Sequence, residues 1–130
     1  AEVVSKRSPD PSTKHGCVLV STDNQLVSTG YNGPLKGFPN HKVKYTRPEK
    51  YKWMIHAEQN ATIFANQSLK GCTAYITGHP CCECFMHLVQ SGIKRIIYGS
   101  RVSKCISQDD YGIIDTVRRE MDVELINLID

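Results

Sequence analysis

The sequence predicts an α/β fold in which one mixed, five-stranded sheet is covered by helices. Two patterns indicate this fold: an early β-hairpin, and a regular alternation of strands and helices after it. The chain has 130 residues, a length that suits one compact domain over residues 1–130 and permits a core without disulfide bonds. We therefore expect the order partial helix, β, β, helix, β, helix, β, helix, β.

The first third of the chain predicts a short helix, a hairpin and a long loop. Residues Glu2–Arg7 are typical of a helix end that stops before a proline-containing segment. The β-branched runs Cys17–Val20 and Leu26–Gly30 flank the turn residues Asp23-Asn24, as in a hairpin. From Tyr31 to about Lys52, repeated glycine and proline indicate a loop, and a loop of this length is often functional.

The rest of the chain alternates between helix and strand signals. Apolar residues recur at helical spacing after His56, and Pro80 suits the first turn of a second helix that Gly92 ends. The remaining elements are three predicted strands, Ala74–Thr77, Ile93–Tyr98 and Val123–Leu128. A predicted helix, Tyr111–Met121, lies between the last two of these strands.

Composition and charge exclude several classes of protein. The net charge of +3 suits an anionic small molecule but is weaker than the dense basic patch of a duplex-binding protein. No apolar run reaches the length of a membrane span, and no signal peptide is recognisable. We therefore expect a soluble, cytoplasmic protein with no membrane partner, and binding of nucleic acid is not favoured.

Two short motifs predict a metal site. They are His56-Ala57-Glu58 and Pro80-Cys81-Cys82-Glu83-Cys84, each at the first turn of a predicted helix. Cys81 and Cys84 lie three residues apart, so one helical turn can direct both sulfurs to one zinc ion, and His56 offers a third ligand. Three protein ligands leave the fourth position open for water, as a catalytic zinc site requires.

Glu58 follows the histidine by two residues and can lie beside that open position without binding the metal. A carboxylate there can carry protons from water to a substrate ring nitrogen and to a leaving amine. Both motifs in this order resemble the known signature of zinc deaminases. The competing interpretation is a non-catalytic zinc module, which requires a fourth protein ligand from Cys82, His79 or His87; we expect Cys82 to point away.

Beyond the zinc motifs, the chain resembles deoxycytidylate (dCMP) deaminases of the cytidine deaminase-like superfamily over roughly residues 5–100. The resemblance rests on five segments, namely Ser8 to Thr13 with Gly16-Cys17-Val18, Gly30-Tyr31-Asn32-Gly33, His56 to Ala61, Pro80 to Cys84, and Gln90 to Lys94. It implies a three-layer α/β/α fold and zinc-dependent hydrolysis of dCMP to dUMP and ammonia, which supplies dUMP for thymidylate synthesis. It also implies Asn32 and Ala57 as substrate contacts, with Asn32 on the sugar.

The same resemblance implies a homo-oligomer, with a hexamer favoured, and regulation by dCTP as activator and dTTP as inhibitor. Mg²⁺ can accompany such a triphosphate. Gly30, Tyr31 and Gly33 are the candidate regulatory residues, although the glycines can also serve a tight turn. If the source is a virus, the expected location is the host cytoplasm.

Two questions stay open at the level of sequence. The phosphate of a nucleotide requires positive charge or backbone amides, and the candidates are Lys6, Arg7, Lys14, Lys36 and Arg101. For each of them, an exposed solubilising residue is the favoured interpretation. A deaminase that acts on cytosine or adenine in nucleic acid is the alternative to one that acts on free nucleotides. The loop aromatics Phe38, Tyr45, Tyr51 and Trp53 can stack on bases, but we expect them to pack the loop or contact another subunit.

Overall fold

The computed structural model describes residues 1–128 and contains one five-stranded sheet with the strand order β2-β1-β3-β4-β5. The elements follow the predicted alternation: α1 (Glu2–Ser5), β1 (Gly16–Val20), β2 (Leu26–Tyr31), α2 (Lys50–Trp53), α3 (Ala57–Ile63), β3 (Thr73–Gly78), α4 (Cys82–Gln90), β4 (Arg95–Arg101), α5 (Gln108–Glu120) and β5 (Glu124–Asn127). None of the helices in this described part is both long enough and apolar enough to cross a bilayer.

The sheet is mixed because it combines a hairpin with two crossover units. Strand β1 pairs antiparallel with β2 and with β3. Strands β3, β4 and β5 run parallel and are joined through α4 and α5. The carboxyl ends of β3 and β4 therefore lie at the same edge, so that the residues that follow these two strands come close together.

Two glycines in the hairpin show that helices cover both faces of the sheet. Gly30 pairs with Cys17, and Gly16 is the neighbour of Cys17, so the positions 16 and 30 face opposite sides. A Cβ on Gly16 would meet Ala1 and Ser5 of the first helical segment, whereas a Cβ on Gly30 would meet α3. The predicted three-layer architecture is confirmed, and the main core, which includes Leu19, Ala61, Phe85, Leu88, Ile96 and Ile114, lies between the sheet and its helices.

The largest differences from the predicted boundaries concern the long loop, α5 and β4, which spans Arg95–Arg101 rather than Ile93–Tyr98. The segment 31–52 is not entirely loop, because it contains the short 3-10 helix Asn40–Lys42 and the start of α2. Helix α5 begins at Gln108 rather than Tyr111. Ser107 and Asp110 form a capping box at this start. The Ser107 N–H donates to Asp110 Oδ2 over 3.4 Å, and the Ser107 Oγ donates to Asp110 Oδ1 over 3.0 Å.

A buried ion pair joins the segment before β1 to α2. Lys50 Nζ lies 2.5 Å from Asp10 Oδ2, and the two side chains are 5% and 0% exposed. The other carboxylate oxygen of Asp10 accepts N–H bonds from Ser12 and Thr13. Burial alone would raise the pKa of Asp10, but Lys50 and the two amides outweigh it and hold the pKa below its ordinary value.

Replacing Lys50 with methionine should therefore destabilise the fold by about 3–5 kcal/mol, because a buried carboxylate loses its partner. Chemical denaturation at neutral pH measures this loss, and Lys52→Met, at an exposed lysine two residues away, should cost almost nothing. The folded pKa of Asp10 lies below 3.8, so its stabilising effect is complete above that pH and disappears as the pH falls towards the folded value. The difference in unfolding free energy between Lys50→Met and Lys52→Met should therefore become smaller as the pH falls. A difference that does not change with pH would contradict a stabilising ion pair between Lys50 and Asp10.

Candidate active site

The two predicted motifs lie where helices begin. His56 precedes α3 and has an extended backbone, and its N–H donates to Gln59 Oε1 over 3.0 Å. Cys81 takes the same position before α4. The segment that enters α3 is held to the end of the hairpin by paired backbone bonds between Gly33 and Ile55. The predicted helix-opening position of both motifs is confirmed.

The three predicted zinc ligands come together. His56 Nδ1 lies 3.0 Å from Cys84 Sγ and 3.6 Å from Cys81 Sγ. In a tetrahedral zinc site, bond lengths of about 2.0 Å to nitrogen and about 2.3 Å to sulfur place these atoms about 3.5 Å apart. Cys81 and Cys84 are 7% and 0% exposed and form no disulfide. The donor set therefore fits a zinc ion held by one imidazole and two thiolates.

A further thiol, which the sequence analysis assigned to no site, lies beside this group. The ligand atoms of His56, Cys81 and Cys105 are all within 4.8 Å of one another. Cys105 belongs to the exposed loop between β4 and α5, where no motif or periodicity distinguishes it. Cys82, His79 and His87, the fourth-ligand candidates of the sequence analysis, are not part of such a group within residues 1–128.

Glu58 lies in the first turn of α3, is 9% exposed and lines the same cavity as His56 and Cys81. Burial raises the pKa of its carboxyl, although a backbone N–H, the charge of His56 and the Cys84 thiol act in the opposite direction. The hydrogen bond with Cys81 raises the pKa of His56 to about 9 against the effect of burial.

Asn32 and Ala57, the predicted substrate contacts, also line this cavity. The Asn32 side chain accepts the His15 N–H over 2.8 Å and donates to the Thr13 carbonyl over 3.0 Å. It therefore holds the segment that leads into β1. His15 also lines this cavity, although no sequence motif indicated it. Burial, followed by the charges of Arg101 and His56, lowers the pKa of His15.

None of the five predicted phosphate-binding residues lines the cavity. Arg101 is bound to Ser5 and to the Lys14 carbonyl and forms an ion pair with Glu2, while Lys14 donates to the Ser8 carbonyl. Arg7 and Lys36 line a separate groove beside β2 and α3. The basic residues that do line the cavity are Arg47, Lys50 and Lys104.

The Gly30-Tyr31-Asn32-Gly33 segment has a packing role that explains its first glycine. A Cβ on Gly30 would lie 2.3 Å from the Ala57 carbonyl and 2.4 Å from the Ala61 nitrogen. Only glycine therefore allows α3 to approach β2 this closely. Neither Gly30 nor Gly33 has a positive φ, so the tight-turn explanation does not apply. Both glycines and Tyr31 line the separate groove, and regulation there stays a prediction.

The loop aromatics pack mainly within their own segment. The rings of Phe38 and Trp53 lie 5.6 Å apart, and Trp53 Nε1 donates to Glu49. Tyr45 bonds to Asn40, and Tyr51 accepts the Arg47 Nε–H over 3.1 Å. The expected packing of this loop agrees with these contacts.

Comparison with known proteins gives one consistent result. Residues 1–100 match the family described as the cytidine and deoxycytidylate deaminase zinc-binding region. A probable deoxycytidylate deaminase of Caenorhabditis elegans is 41% identical over 75% of this chain and 52% of its own length. The deoxycytidylate deaminase of Mus musculus is 37% identical over 74% of this chain and 58% of its own length. The chain thus spans little more than half the length of these two relatives.

A solved structure supports the same assignment over the whole fold. The dCMP deaminase of the cyanophage S-TIM5, in complex with dCMP and dUMP, is 26% identical, with a TM-score of 0.75 over 98% of this chain and 90% of that chain. The fold, the zinc motifs and the sequence matches agree. The chain therefore belongs to the zinc-dependent cytidine and deoxycytidylate deaminase family.

Proposed function

We propose that this protein converts dCMP and water to dUMP and ammonia, and so supplies dUMP for thymidylate synthesis. The observation that carries the proposal is the approach of His56 Nδ1 to the sulfurs of Cys81 and Cys84 beside the buried carboxyl of Glu58. The deoxycytidylate deaminase relatives and the cyanophage structure with dCMP and dUMP support this choice of substrate.

The proposed roles follow from the chemistry of the side chains. His56, Cys81 and Cys84 would hold a zinc ion, whose Lewis acidity makes a nucleophile available from water at neutral pH. Glu58 accepts the proton of the water and donates it to N3 of the cytosine ring. It then carries a proton to the amine at C4, which leaves as ammonia while a carbonyl oxygen takes its place. A buried carboxyl with a raised pKa suits both directions of transfer.

Two cations at the cavity favour a nucleotide over a nucleoside. Lys50 is neutralised by Asp10, but Arg47 and Lys104 line the cavity and form no ion pair with a carboxylate of residues 1–128. Arg47 is also oriented, since its Nη2 donates to Thr13 Oγ1 over 3.0 Å. A guanidinium in this position can bind the dianionic phosphate of dCMP.

Arg47→Ala should raise the KM for dCMP about 10- to 100-fold, which corresponds to one charge-assisted hydrogen bond of about 1.5–3 kcal/mol. The kcat/KM for deoxycytidine, which has no phosphate, should change little. Steady-state kinetics on both substrates measures the difference. Lys44→Ala, at an exposed lysine that does not line the cavity, is the control. Equal losses for the nucleotide and the nucleoside would contradict a phosphate contact.

A direct test of the function uses zinc-loaded protein and several substrates. When dCMP is the substrate, the absorbance of cytosine should fall as the base is deaminated. The fall should be much smaller with cytidine as the substrate, and there should be none with single-stranded DNA or RNA. Turnover of a base in nucleic acid without turnover of dCMP would favour the alternative class of deaminase. Such activity should also fall steeply with salt, because binding would depend on backbone phosphates.

The proposal also includes a homo-oligomer, for which a hexamer is favoured. The groove beside β2 and α3 exposes large apolar residues, with Leu35, Ile63 and Phe64 at 65%, 61% and 49%. A concentrated exposed apolar patch is typical of a subunit contact. The proposed binding of dCTP, dTTP and accompanying Mg²⁺ at Gly30, Tyr31 and Gly33 would take place at this groove.

We further propose that residues 1–130 form one domain and act in the cytoplasm. All six cysteines are free in the structure. Free thiols near one another are compatible with a reducing compartment, where disulfides do not persist.

A further inference from the structure

The loop between β4 and α5 brings an additional thiol to the proposed zinc site. Cys105 Sγ, Cys81 Sγ and a ring nitrogen of His56 are mutually within 4.8 Å. In a tetrahedral zinc site, two thiolate sulfurs lie about 3.8 Å apart. The separation between Cys105 Sγ and Cys81 Sγ is therefore within about 1 Å of the value for two sulfurs bound to one zinc ion.

The surroundings of Cys105 hold its sulfur on the cavity side. Ser103 Oγ lies 3.1 Å from Cys105 Sγ, and both residues line the cavity that contains Glu58 and His56. The first turn of α5, which follows this loop, is joined to the zinc motif, because Asp110 Oδ2 accepts the N–H of Cys82 over 3.4 Å. The parallel arrangement of β3 and β4 causes this approach, since both strands end at the same edge of the sheet.

Cys105 differs from the two cysteines of the motif in its exposure. Cys81 and Cys84 are buried at the start of α4, whereas Cys105 is exposed. A buried ligand on a helix stays in place when substrate enters. A ligand on an exposed loop can leave, and Cys105 lines the space that a nucleotide base must enter to reach Glu58.

We propose that Cys105 supplies a third thiolate to the zinc ion when no nucleotide is bound and leaves the metal when a nucleotide enters. The proposal rests on the zinc ligands assigned above. On binding, the Cys105 thiol would release its proton to solvent and its sulfur would replace the water at the fourth position. On leaving, the thiolate would take up a proton from solvent and water would return. The site is then closed by four protein ligands at rest, which retains the metal. Entry of the nucleotide opens the fourth position for catalysis.

Cobalt(II) in place of zinc tests this directly, because its sulfur-to-metal charge-transfer absorbance grows with the number of bound thiolates. Cys105→Ser should lower this absorbance by about one third relative to the unmodified protein, from three thiolates to two. Cys82→Ser, the same change next to Cys81, should leave it unchanged. Saturating dCMP should lower the absorbance of the unmodified protein to that of Cys105→Ser. Identical spectra for Cys105→Ser and the unmodified protein would overturn the proposal.

Alkylation of Cys105 by iodoacetamide gives a second readout that does not depend on a variant. Peptide mass spectrometry should show slow modification of Cys105 in zinc-loaded protein and fast modification after zinc removal. Equal rates would also overturn the proposal. Neither the cobalt spectrum nor the alkylation rate depends on turnover. If the protein shows the Cys105-dependent spectrum but does not deaminate dCMP, the proposed function is wrong and the inference about Cys105 still holds.

Discussion

Glu58→Gln should reduce dCMP turnover by about 10³- to 10⁴-fold while the protein keeps one equivalent of zinc. Glutamine has nearly the same shape as glutamate but cannot carry a proton between water, the ring nitrogen and the leaving amine. Glu58 is not among the ligand atoms that surround His56 Nδ1, so metal binding does not depend on it. Steady-state kinetics and metal analysis of the same preparation measure both quantities.

The control for this prediction is Glu83→Gln. Glu83 lies in the first turn of α4, one residue from Cys84, but it is exposed and does not line the cavity. It should keep full activity. If Glu58→Gln keeps more than about a tenth of the activity, another group moves the protons and the proposed role of Glu58 is wrong.

Cys84→Ser should abolish activity and strongly weaken zinc binding. Cys84 is fully buried, and its sulfur lies 3.0 Å from His56 Nδ1. Loss of a direct ligand should weaken zinc affinity more than the roughly 10- to 100-fold typical of changes around the ligands. The thermal midpoint should fall as well, because a metal that binds only the folded protein stabilises it. Dialysis against a chelator, metal analysis and thermal unfolding measure these effects.

This variant also decides between two ligand sets. The motif predicts His56, Cys81 and Cys84, whereas the mutually close trio in the structure is His56, Cys81 and Cys105. Cys82→Ser is the matched control and should keep its zinc, since its side chain is not part of either set. If the zinc affinity of Cys84→Ser equals that of the unmodified protein, Cys84 is not a ligand, and the trio with Cys105 holds the metal permanently.

The sheet, the helices and the approach of the three motif side chains were predictable because each depends on local sequence. Cys81 and Cys84 share one helical turn, and both Pro80 and the apolar spacing after His56 indicate where a helix begins. The start of α5 was placed three residues too late. The signal that was missed is local too, since Ser107 and Asp110 form a capping box.

Contacts between distant segments could not be predicted in the same way. Cys105 lies 21 residues beyond Cys84 and reaches the site only because of how β3 and β4 pair. Asp10 and Lys50 are 40 residues apart and join segments without regular patterns. The location of the basic residues could not be predicted for a related reason. Net charge and residue type do not show that Arg101 is bound elsewhere while Arg47 lines the cavity.

The most direct test of the central claim is the isotopic composition of the product formed in water enriched in oxygen-18. Zinc-loaded protein incubated with dCMP should form dUMP that carries one oxygen-18 atom at C4, together with one equivalent of ammonia, as hydrolysis of the exocyclic amine requires. Unchanged dCMP in the presence of a filled zinc site, or a product without the label, would contradict the proposal that this protein is a hydrolytic dCMP deaminase.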